Sequence, residues 1–154
     1  MEWRVPVISQ TTLSLCWEAC ARMLWGWRYK NTPKSWNAYT QKSGLYARMN
    51  QGLSQQQMDV FYRKLGIRSL RNPSGKNIRH ALQWTPVIVT SIRQVQGHAM
   101  VVIGHNSGNY KIINPCGVQV VDFNQPGGDS CTAASMPFPE RAIESTLGQY
   151  IWYW

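Results

Sequence analysis

Acidic residues are scarce in this chain. Seven Asp and Glu stand against sixteen Lys and Arg over 154 residues, a formal charge of +9. An excess of that size excludes an acidic tail and points to an anionic partner, whether an acidic protein, a nucleic acid or a charged surface. The basic residues never form a run of four, so no single stretch carries the charge. Cysteine is nearly as sparse: Cys16, Cys20, Cys116 and Cys131 form no CxxC pair and no His/Cys cluster of zinc spacing, so neither a metal nor another cofactor is expected. Cys16 and Cys20 lie one helical turn apart, a poor geometry for a mutual disulfide, and the thiols are expected to be reduced. Long apolar runs are missing too. No stretch approaches eighteen apolar residues and Met1 to Pro6 has no apolar signal-peptide core, so neither a membrane span nor conventional export is expected.

What the chain does have is 44% hydrophobic residues, 12% of its length being aromatic. That composition suits one folded domain over 1–154 and argues against disorder. Leu15, Ala19 and Met23, with Cys16, Cys20 and Leu24, recur at a spacing of four and predict a largely buried helix from about Cys16 to Trp25. Trp3 to Ile8, which contains Pro6, reads as an edge strand or no strand. Gly26 and Asn31-Thr32-Pro33 break the helical pattern. Thr32 or Ser35 then caps a second helix to about Tyr46, and Ser54 with Gln57 forms a capping box for a third whose apolar face is Met58, Phe61, Tyr62 and Leu65. Lys76 to Trp84 predicts a short fourth helix. From Pro86 the period changes, giving strands at 87–89, 98–103, 110–113 and 118–123, with 104–109 as a hairpin loop. Gln125 to Pro139 reads as a loop or lid, and Gln149 to Trp154 as a closing aromatic strand. Helices first and antiparallel strands second is an α+β pattern with two lobes.

The chemistry concentrates at four residues. Gln10 precedes Cys16 by six positions, and Cys16 opens the first helix, where unpaired N–H groups and the helix dipole favour a thiolate. The Gln10 side-chain amide and the Cys16 backbone N–H could together hold an oxyanion. His98 and Asn114 lie sixteen residues apart, and a hairpin around 104–109 brings them face to face, the amide fixing the imidazole tautomer and leaving the other nitrogen for a thiol. His80, beside Arg79, suits an exposed helix position, and His105 suits the loop; both compete less well for the role of base. Cys20 is expected in the core. Asp122 and Asp129 are alternative acids.

Gln10, Cys16-Trp17, Gly97-His98-Ala99 and Asn114-Pro115 resemble the papain-like cysteine peptidases, whose order is oxyanion Gln, Cys at a helix start, His, then Asn or Asp. The strings from Val5 to Ala19 and from Gly97 to Gly104 are most similar to bacterial members, namely injected effector or toxin peptidases and the peptidases that trim double-glycine leaders. The resemblance implies a papain-like fold: an N-terminal helical lobe, with the catalytic cysteine at a helix start, packed on a C-terminal antiparallel β-sheet. It implies a cysteine endopeptidase with Cys16, His98 and Asn114 catalytic, Gln10 and Cys16 forming the oxyanion hole, and Trp17 and Gly97 beside the substrate. It further implies a toxin delivered by a specialised secretion route without a signal peptide. That toxin would cleave a protein in the target-cell cytoplasm at a glycine-rich, double-glycine site and would be neutralised by an acidic immunity or inhibitor protein. Leu15 departs from the small residue that often precedes the cysteine, and Asn114 stands where many bacterial relatives carry Asp.

Two other functions fit parts of the pattern. A Cys-His amidase or glutamine deamidase of the same fold would share the acyl-transfer chemistry. A basic nucleic-acid-binding domain would use the eight Trp and seven Tyr as stacking platforms. Most of those aromatics occupy apolar-periodic positions, which disfavours nucleic acid as a partner.

Overall fold

A computed structural model describes residues 1–12, 14–44, 51–93, 96–120 and 130–154. The spacing-of-four stripe folds as helix α1, Cys16–Arg28, with nine of its residues buried. Gly26 does not end it. A side chain there would stand 2.7 Å from the Pro6 ring and 3.1 Å from Trp36, so this glycine lets the N-terminal segment and the next helix close on α1. Helix α2, Pro33–Ser43, starts from a Thr32/Ser35 capping box with Pro33 in its first turn. Tyr46, expected near its end, lies outside the described residues. Helix α3, Gln55–Lys64, starts from the Ser54/Gln57 box and is followed by Gly66 at φ +89°, a conformation open to glycine.

Among the described residues the strands are β1 (Arg68–Arg71), β2 (Val87–Arg93), β3 (Gln96–Asn106), β4 (Asn109–Val120), β5 (Ser130–Pro139) and β6 (Leu147–Tyr153). They form one antiparallel sheet in the order β1-β6-β2-β3-β4-β5. Helix α4, Gly75–Ala81, is shorter than expected, and a short α5, Glu140–Glu144, precedes β6. Alternation along the strands buries both faces of the sheet. Ile88, Val101, Ile103, Ile113 and Trp152 pack under α1, α2 and α3, whereas Val87, Val89, Met100, Val102, Ile112 and Ile151 pack with Ile78 of α4 and Ile143 of α5. The fold is the α+β arrangement that the resemblance implies, a helical N-terminal lobe against an antiparallel sheet.

The segment from Trp3 to Ile8 is no strand, the second of the two alternatives, and is held by the Trp3 N–H on Ile103 O (2.8 Å) and a single Glu2–Gly104 bridge. Three other readings need correction. The hairpin between β3 and β4 turns in two residues, Ser107 (φ +49°) and Gly108 (φ +79°), so His105 belongs to β3 and not to a loop. The strands expected at 110–113 and 118–123 are one strand, β4, with a bulge between Asn114 and Val118; residues 121–129 lie outside the described part. The last ten residues of the expected lid, 130–139, are β5, paired along β4. Its small and polar residues show no apolar alternation because an edge strand needs little of it.

Candidate active site

Cys16 is the first residue of α1, and the residue before it departs from the usual helix start. Leu15 sits at the N-cap with no side-chain hydrogen bond and is 6% exposed, packed into the core. The early N–H groups of α1 are therefore not taken by a cap. The Trp17 N–H is directed to the Cys16 sulphur, and the Ala99 N–H of β3 donates to it at 3.4 Å.

His98 stands beside Ala99, where β3 leaves its ladder with β4. That pairing reaches Val101↔Ile113, and the next link between the two strands is His98 Nε2–H donating to Asn114 Oδ1 at 2.6 Å. Nε2 being engaged, Nδ1 remains for the hydrogen bond to Cys16. Burial alone would push the Cys16 thiol above its ordinary 9.0, but the hydrogen bond and charge of His98, with the Ala99 and Trp17 N–H groups, outweigh it and hold the pKa below that value. Burial likewise presses His98 down from 6.5, and the hydrogen bond and charge of Cys16, with Asn114, reverse this and raise it. Both shifts favour a thiolate–imidazolium pair.

Gln10 is buried, at 4% exposure, in the loop that leads to α1. Its backbone N–H donates to Pro115 O (3.1 Å) and one hydrogen of its side-chain amide donates to Thr12 O (2.8 Å), while Oε1 is buried without a hydrogen-bond partner. Gly97 is exposed beside His98, and a side chain built on it would meet nothing within 4 Å. The Trp17 ring, expected beside the substrate, is not available to one. It is 1% exposed, edge-on to Phe61, and its Nε1–H donates to Gln51 O at 3.3 Å.

The expectation of four reduced thiols is overturned: Cys116 of β4 and Cys131 of β5 form a disulfide. The bulge in β4 brings them together. Asn114 faces Ala134 and Val118 faces Thr132, so three residues on β4 stand against one on β5. With 125–139 read as a lid, nothing in the sequence placed Cys131 beside Cys116; reading 130–139 as a strand paired to β4 would have. Cys16 and Cys20 are free thiols, and Cys20 is fully buried in the core with its pKa pushed well up by burial.

The remaining candidates stand apart from this cluster. His80 is exposed on α4, and His105 pairs with Glu140. Asp122 and Asp129 lie outside the described residues. Among the described residues no group of His, Cys, Asp and Glu is arranged to hold a metal ion, and no helix is long and apolar enough to cross a membrane.

Solved structures similar in fold share little sequence with this chain. A double glycine motif protease from an AMS/PCAT transporter, solved with its leader peptide, superposes with a TM-score of 0.62 at 14% identity, covering 99% of this chain and 93% of that one. The peptidase domain of Streptococcus ComA, a bifunctional ABC transporter of a quorum-sensing pathway, gives 0.62 at 15% identity, covering 97% and 96%. A C39-like peptidase from Bacillus anthracis gives 0.63 at 12% identity, covering 98% and 94%. Among curated protein sequences none matches. The model of the family "Papain-like cysteine protease AvrRpt2" matches residues 2–137, and the chain belongs to that family of cysteine peptidases.

Proposed function

We propose that this peptidase is a bacterial effector or toxin that cleaves a protein in the cytoplasm of a target cell, with Cys16, His98, Asn114 and Gln10 as its machinery. The observation that carries the assignment is the line Cys16–His98–Asn114, closed by a 2.6 Å hydrogen bond at its far end. The Cys16 thiolate attacks the scissile carbonyl carbon, forming the C–S bond and placing charge on the carbonyl oxygen. The Cys16 N–H and the second hydrogen of the Gln10 amide stabilise that oxyanion. As the C–N bond breaks, His98 gives its proton to the departing amine; it then takes one from water, which hydrolyses the thioester and returns the thiolate. Asn114 keeps Nε2 engaged, so Nδ1 faces the sulphur throughout.

The cut falls at a glycine-rich site in this reading. The support is the open, exposed surface at Gly97 and the fold shared with a double glycine motif protease. A charge of +9 suits an acidic inhibitor or immunity protein in the producing cell. The Cys116–Cys131 bridge would be made before entry, since a reducing cytoplasm does not form it.

The test is delivery of purified wild type, Cys16→Ala and His98→Ala, each with the bridge closed, into the cytoplasm of target cells, with growth and a proteome-wide search for new protein N-termini. Only the wild type should arrest growth and leave new termini, flanked by glycine. Three proteins alike, with no new termini, would remove the effector reading.

A further inference from the structure

The bridge lies at the end of a three-residue turn that touches most of the proposed machinery. Asn114 Oδ1 accepts from His98 Nε2 at 2.6 Å and from the Cys116 backbone N–H at 3.0 Å. Pro115 O accepts the Gln10 backbone N–H at 3.1 Å. Cys116 is then joined covalently to Cys131 on β5. The Gln10 loop reaches the same stretch of β5, because the Ala133 N–H donates to Ser9 Oγ at 2.8 Å. Regular pairing does not hold the turn in place, since the β4–β5 register lapses from Asn114 to Val118 and Pro115 has no N–H to give. Gly117 shows how closely the turn is drawn in: a side chain on it would come 2.5 Å from the Ala134 methyl.

We infer that the Cys116–Cys131 disulfide is a positioning element of the peptidase site, anchoring the Asn114–Cys116 turn through which His98 and Gln10 are both held. The inference rests on the roles proposed above for those residues. Opening the bridge leaves the turn attached to β5 only through the strand on either side. The orienting amide and the oxyanion loop then lose a common anchor, and turnover slows. Both cysteines are partly exposed, so a small dithiol reaches them. It supplies two electrons and two protons, the S–S bond becomes two thiols, and the dithiol leaves as its own cyclic disulfide. Cys16 is a free thiol in both forms.

A purely structural bridge and a positioning bridge differ in what they do to Cys16. Among the described residues the groups facing His98 are Cys16 from α1, Asn114 from β4 and Ser91 opposite it on β2, and of these only Cys16 titrates. Asn114 favours the charged imidazole, so a loosened Asn114 lowers the share of the thiolate–imidazolium pair.

The experiment starts from protein whose closed bridge is verified by non-reducing peptide mapping. It compares that form with protein opened by dithiothreitol, the reagent being removed and the fold checked by circular dichroism. Iodoacetamide alkylation of the Cys16 peptide is followed by mass spectrometry across pH, beside peptide turnover. Opening should slow alkylation near pH 6 by about threefold, because one hydrogen bond to a charged group is worth about tenfold in thiolate population and the more basic thiolate recovers about threefold of that, and it should lower kcat more than it raises KM. Cys116→Ser/Cys131→Ser should match the opened form, and in Asn114→Ala the alkylation should no longer respond to opening. Identical alkylation profiles for closed and opened protein would overturn the inference, as would an Asn114→Ala variant that responds as strongly as wild type. A profile that moves while neither form cuts any peptide would leave the positioning role standing and remove the proposed peptidase mechanism.

Discussion

Replacing His98 by Ala removes the group whose hydrogen bond and charge hold the Cys16 thiol below its ordinary 9.0. Burial stays, and it acts upward, so the pKa of Cys16 rises. The size of the effect follows from two opposed scalings. Below both pKa values, each unit between wild type and variant is tenfold in thiolate population, while the more basic thiolate of the variant is intrinsically faster by about threefold per unit. About threefold per unit therefore survives as a slower reaction of the variant with iodoacetamide. The slope is more telling than the ratio. In the variant the logarithm of the rate should climb by about one per pH unit from pH 6 to beyond pH 8, whereas the wild-type curve should flatten at lower pH, once its ion pair is formed. The readout is clean because Cys20 is fully buried and Cys116 and Cys131 are bonded to each other, leaving Cys16 as the reactive thiol. Parallel profiles for the two proteins would refute the ion pair, and with it the role given to His98.

Turnover should follow a bell in pH, with an acid limb set by the lowered Cys16 and an alkaline limb set by the raised His98; the productive ion pair exists only between the two, and both apparent values belong to the pair. A profile that keeps rising through the alkaline range would contradict it. Gly117→Ala should cost about 1–3 kcal/mol by overpacking against Ala134 and slow turnover through Asn114, with Ala134→Gly restoring both; urea midpoints and initial rates measure this. Asp59→Ala should cost about 1–3 kcal/mol, because it strands the buried Trp152 Nε1–H that now donates to Asp59 Oδ1 at 2.9 Å. Asp59→Asn, which keeps an acceptor, should lose less in the same denaturation experiment.

Local signals made most of the helical lobe legible. The spacing of apolar residues gave α1, and the Thr32/Ser35 and Ser54/Gln57 boxes started α2 and α3 where the side chains close on the backbone. The line His98–Asn114 was also within reach, because Ser107-Gly108 fixes the hairpin that sets their separation. Non-local pairing hid the rest. β1 is four residues at the sheet edge with Arg at both ends, paired to the last strand of the chain, and nothing in Arg68-Ser69-Leu70-Arg71 announces that partner. β5 is poor in large apolar residues because it needs only one neighbour, β4, so its composition reads as loop. The disulfide was lost with it.

The start of α1 departs from the local rule that α2 and α3 follow. α2 and α3, which carry no part of the proposed chemistry, have capped first turns, while α1 begins at Leu15 without a cap. A Ser, Thr or Asp at that position would stabilise a helix by about 1 kcal/mol. It would do so by accepting the N–H of Trp17 or Glu18, and the Trp17 N–H is the one turned to the Cys16 sulphur. Leu15 contributes instead by burying its side chain in the core, which fixes the helix start without competing for its donors. The stability lost at the cap and regained in packing keeps the positive end of the helix open to the sulphur.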